Sequence, residues 1–380
     1  MDARTSKAAA LIFGCGVAAG IVLFALPRVR SDSNVVEYRR QSTASRRAPP
    51  TGGPWRWWLP EDLVAEFFAM GPPDQPYDPY CYYRWRGGMQ FVMRFREHPR
   101  GRIVLRTNGL GLRKDVEVRE TRPDLRVLVT GDSHTEGACD NEESFANRLE
   151  AALAAAHPDR TVEVLNAGKG GYHFYNYRGV LERFRDLRPH VFVVAVYGGN
   201  DFEEMLSLHH FFAGTDRPVG AEAYAAELQE AVSIHAGCPA QGLIACKYFQ
   251  RNPREIEEAL EGALSLCSEI VDVSNERGTV PIFVYVPPPY GPTPPEIRPV
   301  LDRALPVLGL RESDLGVFDA MADRFLAGIA KRGARTLDLR AAFRAHGAPL
   351  YWLADHHINV EAHALVAREL LPLVEPMLSR

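Results

Sequence analysis

The sequence has no strong charge of either sign: 44 Lys and Arg residues oppose 48 Asp and Glu residues and leave a net charge of -4 at pH 7. A protein that binds nucleic acid through its phosphates needs a basic surface, so no nucleic-acid partner is expected. The six cysteines include no Cys-x-x-Cys pair and no histidines stand at ligand spacing from them, so we expect no metal site. The glycine-rich stretches match neither a phosphate loop nor a dinucleotide fingerprint, and no cofactor is expected.

A long apolar run near the N-terminus, residues 8–27 (AAALIFGCGVAAGIVLFALP), follows a short tail of residues 1–7. It is long enough to span a bilayer as a helix, and no small-x-small cleavage site follows it directly, so we expect a transmembrane helix or signal anchor. The arginines after the run favour a cytoplasmic main domain, whereas a short tail followed at once by an apolar run is typical of a signal anchor, which sends that domain outward. We expect a membrane-anchored chain whose main domain is extracytoplasmic, in the periplasm or at the cell surface.

The chain of 380 residues, 46% of them apolar, is long enough for one large domain with appendages. Residues 28–60 are rich in Ser, Arg, Pro and Gly and are predicted to form a tether. Residues 61–123 are predicted to form a β-rich extension, and residues 124–380 the main domain.

The main domain alternates strand-like apolar runs with amphipathic helical stretches. Strands are predicted at residues 126–130, 161–165, 191–197, 280–286 and 335–339. This alternation predicts an α/β fold with a parallel sheet and helices on both faces. Ligands of such sheets bind at the carboxyl ends of the strands, which makes those ends the place to look for a site.

The first of these strands runs into VLVTGDSHTEG, residues 127–137, which places Ser133 at its carboxyl end. A serine here is either an ordinary helix N-cap or a nucleophile held at the rim of the sheet. It becomes a nucleophile only when a base and a set of oxyanion donors converge on it, and those must come from elsewhere in the chain.

The next two strand ends carry NAGKGGYH, residues 166–173, and GGNDF, residues 198–202. Glycines at a strand-to-helix turn leave backbone N–H groups available to an anion, and an Asn side chain adds another donor. Tight turns with an Asn or Asp helix cap would explain the same residues without catalysis.

A loop before the C-terminal amphipathic run contains Asp355, His356, His357 and Asn359. Two histidines beside an aspartate at a helix entrance fit a general base and the group that orients its imidazole. This loop supplies the acid–base partner that Ser133 would need.

These four clusters, in this order, resemble the motif blocks of the SGNH (GDSL-type) hydrolases. The resemblance is carried by Gly131-Asp132-Ser133 with Gly137, by Asn166 with Gly168 and Gly171, by Gly199-Asn200-Asp201, and by Asp355-x-His357-x-Asn359. It covers residues 124–205 and 280–374 approximately, and it implies the SGNH hydrolase fold, a flavodoxin-like three-layer αβα sandwich around a central parallel sheet.

The resemblance also implies roles for individual residues. Ser133 would be the nucleophile, His357 the general base, and Asp355 the carboxylate that holds the imidazole. The oxyanion hole would consist of the backbone N–H groups of Ser133 and Gly171 and the side-chain amide of Asn200, with Asp132 and Asn359 as supporting residues. Most family members place the Asp three residues before the His, where this chain has Ala354. Asp355 lies two residues before His357, so its position departs from the usual spacing.

A serine ester hydrolase that cleaves an O-acyl or O-acetyl ester through an acyl-enzyme is the function that this resemblance implies. The substrate would be an ester-bearing small molecule, lipid or glycan, and the sequence indicates no oligomeric state. Two alternatives stay open: an O-acyltransferase that modifies a cell-envelope polysaccharide, and a non-catalytic binding domain on the same fold.

An insertion at about residues 206–275 contains no motif that identifies a substrate, although it could cap the site and decide specificity. Its Cys238 and Cys246 are close enough in sequence to close a small loop in an oxidising compartment. The sequence leaves open whether they pair.

Overall fold

The structure, a computed structural model, describes residues 49–68, 75–218, 227, 240–290, 293–353 and 357–379. The apolar run at residues 8–27, and with it the expected membrane helix, lies outside these residues. No helix in the part of the chain that the structure describes combines the length and the apolar character needed to cross a bilayer.

The extension begins with a helix that the sequence analysis did not predict and continues with two small antiparallel hairpins. Its elements are α1 (Glu61–Phe67), β1 (Tyr77–Asp78), β2 (Tyr82–Tyr83), β3 (Gln90–Arg94) and β4 (Arg102–Arg106). Tyr77 pairs with Tyr83 in the first hairpin, and Phe91 pairs with Leu105 in the second. The described part of the extension therefore combines one helix with two short hairpins.

The main domain is built on a five-stranded sheet. Its strands are β5 (Leu125–Gly131), β6 (Val162–Asn166), β7 (Val191–Tyr197), β8 (Val280–Val286) and β9 (Arg335–Asp338). All neighbours are parallel, in the order β6-β5-β7-β8-β9, so the predicted α/β fold and all five predicted strands are confirmed. The chain moves outward in opposite directions from β5, which makes the gap between β5 and β7 the switch point where such sheets bind ligands.

Helices cover both faces of this sheet. They are α2 (Ser133–Glu136), α3 (Phe145–Ala156), α4 (Phe174–Arg183), α5 (Asp201–Glu204), α6 (Leu206–Ala213), α7 (Ala240–Arg251), α8 (Glu255–Glu276), α9 (Arg298–Val307), α10 (Val317–Lys331), α11 (Arg340–Ala345) and α12 (Val360–Val374). Single 3-10 turns occur at Asn141–Glu143, Arg185–Leu187, Glu312–Gly316 and Glu375–Ser379.

Alternate residues of each strand point to opposite faces, and this divides the core into two clusters. Val127 and Val193 pack with α3 and α12 on one face, whereas Leu128 and Val194 pack with α4, α8 and α10 on the other. The arrangement is the three-layer αβα sandwich that the resemblance implied.

The last part of the predicted insertion at residues 206–275 is α8. Its Leu260, Leu266 and Ile270 are buried in the core. Helix α8 is therefore the crossover helix between β7 and β8. Cys246 on α7 is a buried free thiol whose Sγ lies 3.4 Å from the carbonyl oxygen of Asp314, and Cys238 lies outside the described residues.

The extension shares the core of the α4 face. Tyr82 and Tyr83 of β2 are fully buried there, in the same cluster as Tyr172, Tyr175 and Tyr177. Burial of side chains this large contributes strongly to stability, so the extension is packed into the main domain along the described residues.

Candidate active site

The turn after β5 presents Ser133 at the carboxyl edge of the sheet. Asp132 caps α2, and its Oδ1 accepts a hydrogen bond of 2.9 Å from the N–H of His134. Ser133 is the first residue of α2, so its N–H has no acceptor within the helix. Gly131 is required for this sharp turn, because a Cβ there would lie 2.0 Å from Oγ1 of Thr135 and 2.8 Å from the carbonyl oxygen of Ala195.

The loop after β6 packs directly against this turn. Nδ2 of Asn166 donates to the carbonyl oxygen of Thr135 at 2.9 Å, and the N–H of Lys169 donates to the carbonyl oxygen of Gly131 at 3.1 Å. The two hydrogen bonds connect the second predicted cluster to the first, as expected for neighbouring parallel strands.

The hydrogen bonds of this loop distinguish its three glycines. The N–H of Gly168 donates to Oδ1 of Asn166 at 2.9 Å, and the N–H of Gly170 donates to Oε2 of Glu136. The N–H of Gly171 has no acceptor among the described residues. Gly171 also has a φ of +75°, in the left-handed region that favours glycine. The free donor of the loop is therefore the one that the resemblance assigned to the oxyanion hole.

Asn200 follows β7 and is 4% exposed. Its side chain makes no capping hydrogen bond to α5, and its Oδ1 has no partner among the described residues. The turn is instead held by Asp201, whose Oδ2 accepts hydrogen bonds from the Tyr197 N–H at 2.9 Å and the Tyr177 hydroxyl at 2.7 Å. The Asn200 side chain thus takes no part in capping α5, while its neighbour Asp201 builds the turn.

His357 lies against the nucleophile turn and is 2% exposed. The centroids of the His357 and His134 rings are 4.8 Å apart, and the N–H of Ile358 donates to Nδ1 of His134 at 3.3 Å. No described residue, His357 included, forms a hydrogen bond with the Ser133 hydroxyl. Contacts between a nucleophile and its base are often long in free enzymes and shorten when substrate binds.

Asn359 has a structural role in the same loop. Its Oδ1 accepts from the N–H of Ala362 at 3.0 Å and caps α12, and its Nδ2 donates to the carbonyl oxygen of Pro349 at 2.7 Å. Asp355 and His356 lie outside the described residues.

The carboxyl groups beneath the site are buried. Burial raises the pKa of Asp132 to about 7, and the nearby His357 acts in the opposite direction. Burial also raises the pKa of Asp201, and the neighbouring Asp132 adds to this effect. Burial lowers the pKa of His363 on α12, and the positive charge of Arg113 acts in the same direction, so His363 is neutral at pH 7.

Two positions that the sequence analysis did not assign help to form the site. Arg113, from the extension, is fully buried and donates to the carbonyl oxygens of Gly137 and Cys139 on the nucleophile side. Its own N–H donates to the carbonyl oxygen of Asn166 at 2.8 Å. His134 is stacked on Tyr197 with ring centroids 3.6 Å apart. Nε of Arg113 also donates to Oδ1 of Asn141 at 3.0 Å. No motif pointed to Arg113, because its partners are backbone and side-chain oxygens of segments distant in sequence.

Comparison with solved structures finds several similar chains, all at low sequence identity and with TM-scores below 0.5. TesA is 14% identical, with 66% of this chain and 99% of TesA covered and a TM-score of 0.38. The esterase EstA from Pseudoalteromonas sp., inhibited by monoethylphosphonate, is 14% identical over 67% of this chain and 99% of its own, with a TM-score of 0.38. A catalytic mutant of Axe2, an acetylxylan esterase from Geobacillus stearothermophilus, is 14% identical over 67% and 96%, with a TM-score of 0.38.

The family comparison covers the main domain. No curated protein matches the sequence. The model of the GDSL-like lipase/acylhydrolase family matches residues 129–365, which is more than half of the chain and includes the four motif clusters. The chain therefore belongs to the GDSL-like lipase/acylhydrolase family and is a hydrolase that acts on ester bonds.

Proposed function

We propose that the chain is a serine ester hydrolase that works through an acyl-enzyme, with Ser133 as nucleophile, His357 as general base and Asp355 as the carboxylate that orients the imidazole. The observation that carries the proposal is the packing of the His357 loop on the Ser133 turn. The ring contact between His134 and His357 and the hydrogen bond from Ile358 to His134 support it.

In the proposed first step, His357 takes the proton of the Ser133 hydroxyl as Oγ attacks the ester carbonyl carbon. The carbonyl oxygen becomes an oxyanion that accepts hydrogen bonds from the N–H groups of Ser133 and Gly171 and from Nδ2 of Asn200. Each such donor stabilises a transition state by about 3 kcal/mol. The imidazolium of His357 then protonates the leaving alcohol, and the acyl group stays on Oγ.

The second half of the reaction repeats these steps with water. His357 removes a proton from water, which attacks the acyl carbonyl, and the carboxylic acid leaves as Oγ regains its proton. A buried, largely dry site strengthens the hydrogen bonds to the oxyanion, and the low exposure of Ser133, Asn200 and His357 supports this feature.

The test is hydrolysis of p-nitrophenyl esters from acetate to octanoate by the full chain in detergent, compared with Ser133→Ala and His357→Ala. We expect kcat to fall about 10⁴-fold or more in both variants. Ser268→Ala is the matched control and should keep its turnover, because its hydroxyl on α8 bonds, among the described residues, to the Leu264 carbonyl alone, at 2.7 Å. Turnover that survives Ser133→Ala would contradict the proposed nucleophile.

The same acyl-enzyme could pass its acyl group to a sugar hydroxyl, as in the proposed alternative of an O-acyltransferase. The expected membrane anchor at residues 8–27, which would hold the domain near envelope polymers, favours this alternative. Adding an acetyl-accepting glycan to the assay distinguishes the two functions, because a transferase yields acetylated glycan and a hydrolase yields free acetate. Ligand binding that is unaffected by Ser133→Ala, with no turnover in the parent, would indicate a binding domain.

A further inference from the structure

The extension contacts the oxyanion loop at the peptide that carries the proposed donor. The Tyr83 hydroxyl, from β2, donates a hydrogen bond of 2.8 Å to the carbonyl oxygen of Gly170. In return, the hydroxyl of Tyr172 donates to the carbonyl oxygen of Tyr83. Both tyrosines are at most 1% exposed, so these bonds are shielded from competition by water.

The Gly170 carbonyl and the Gly171 N–H belong to the same peptide group. A trans peptide is planar, and its C=O and N–H point in opposite directions. A hydrogen bond that holds the Gly170 oxygen toward Tyr83 therefore aims the Gly171 N–H away from Tyr83. The same bond polarises the peptide and makes that N–H a stronger donor.

The other side of Gly170 is held by the nucleophile helix. The N–H of Gly170 donates to Oε2 of Glu136, and the same oxygen lies 3.7 Å from Nζ of Lys169. Nζ of Lys169 in turn lies 4.1 Å from the ring centroid of Trp85, which belongs to the extension. Gly170 is thus held between α2, through its N–H, and the extension, through its carbonyl oxygen.

We propose that Tyr83 is a positioning residue that sets the direction of the Gly171 N–H, and that the extension is therefore part of the active-site scaffold of this chain. This inference rests on the proposed function for its effect on turnover. The family match begins at residue 129, so Tyr83 lies outside the part of the chain that the family comparison covers.

Tyr83→Phe tests the proposal, because it deletes the hydroxyl and keeps the ring that packs on Phe68 and Tyr172. The matched control is Tyr82→Phe. Tyr82 is the neighbouring residue of β2 and is equally buried. Its hydroxyl donates at 2.7 Å to the carbonyl oxygen of Trp57, which precedes α1. Both variants lose one hydrogen bond to a backbone carbonyl, but only Tyr83→Phe loses one to the oxyanion loop.

The first readout is amide hydrogen exchange of the peptide at residues 166–173, measured by mass spectrometry on the full chain. We expect exchange in this peptide to be about tenfold faster in Tyr83→Phe and unchanged in Tyr82→Phe. Equal exchange in the two variants would overturn the proposal, whether or not the parent hydrolyses esters. If Tyr83→Phe does not fold, Tyr172→Phe, which deletes the reciprocal bond, takes its place with the same expected direction.

The second readout is kinetic. We expect kcat for p-nitrophenyl acetate to fall about tenfold in Tyr83→Phe with KM within twofold of the parent, and the Ki of phenylboronic acid, which forms a tetrahedral anion on a serine, to rise in parallel. Faster loop exchange with unchanged kcat and Ki would overturn the link to the oxyanion. Absence of Ser133-dependent turnover in the parent would instead contradict the proposed function, and the exchange comparison would still decide the role of Tyr83.

Discussion

Ile358 donates its N–H to Nδ1 of His134 at 3.3 Å and thereby joins the loop of the proposed base to the residue after the proposed nucleophile. A histidine that accepts at Nδ1 while neutral carries its proton on Nε2. The stacking of His134 on Tyr197 holds the ring in this orientation. The placement of His357 therefore depends on a side chain with no assigned catalytic role.

We predict that His134→Phe lowers kcat/KM for p-nitrophenyl acetate about tenfold, because the ring is kept but the acceptor for Ile358 is lost. His134→Asn places an oxygen near the position of Nδ1 and should lose less than His134→Phe. Steady-state kinetics of both variants test this. A larger loss in the Asn variant would show that ring stacking, and not the hydrogen bond, places the loop.

Asn200→Ala should lower kcat by about 10²- to 10³-fold with little change in KM, because the proposed side-chain donor to the oxyanion is lost. The melting temperature should stay close to that of the parent, since the Asn200 side chain makes no capping hydrogen bond. Kinetics and thermal unfolding on the same preparation provide the comparison. A fall in melting temperature with unchanged kcat would assign Asn200 a structural role.

Asn359→Ala, unlike Asn200→Ala, should act mainly on stability and lower the free energy of unfolding by about 1 kcal/mol. Its side chain caps α12 through the bond to Ala362 and also donates to Pro349, and both hydrogen bonds are lost in the variant. Urea unfolding measures the change. An unfolding midpoint equal to that of the parent would mean that water or a neighbouring group replaces the cap.

Lys169→Met should destabilise the fold by about 3–5 kcal/mol, because it leaves the Glu136 carboxylate buried without its cation. Both side chains of this pair are at most 2% exposed. The double variant Lys169→Met/Glu136→Gln should regain much of the loss, because neither charge is then buried. Denaturant unfolding of the two variants tests this prediction. If the second substitution adds a further loss of stability to that of Lys169→Met, the result would argue against a direct interaction between the two residues.

His173 makes the stability depend on pH. Burial lowers its pKa to about 3, and its Nδ1 has no hydrogen-bond partner in the described part of the chain. The folded pKa lies below the ordinary value of about 6.5, so between these values the unfolded chain binds a proton that the folded chain does not. The part of the unfolding free energy that depends on a neutral His173 is fully present above about pH 6.5 and is lost as the pH falls toward 3.

His173→Phe should therefore reduce the acid sensitivity of the fold by about 1 kcal/mol per pH unit below pH 6. The Phe ring can keep the stacked contact that His173 makes with Phe68 at 5.3 Å between centroids. Unfolding free energies at pH 4.5, 5.5 and 7 in both proteins test this. Parallel pH profiles would mean that His173 protonates without a cost in the folded state.

The sheet and much of the candidate site could be predicted because their signals are local. A run such as Val191–Tyr197 is apolar and rich in valine, which favours a strand buried on both faces. Once the strands are parallel, their carboxyl ends share one edge. The neighbourhood of Ser133, Gly171 and Asn200 then follows from strand order alone.

Local sequence signals did not predict helix α1 or the position of α8 in the core. The seven residues of α1 are too few for a clear helical period, and their helix is stabilised by burial of Leu63, Val64 and Phe67 against the main domain. The apolar residues of α8 recur at helical spacing, but the place of the helix in the core depends on a face of the sheet that is distant in sequence.

The sequence by itself determined the strands, the α/β order and the residue types at each strand end, because backbone propensity and apolar periodicity act over a few neighbouring residues. Only the tertiary structure decided which glycine of the loop keeps a free N–H and which side chains hold that loop in place. The hydroxyl of Tyr83 and the oxygen of Gly170 are 87 residues apart in the chain. A contact of that kind leaves no periodic trace, since it depends on the packed positions of two separate segments.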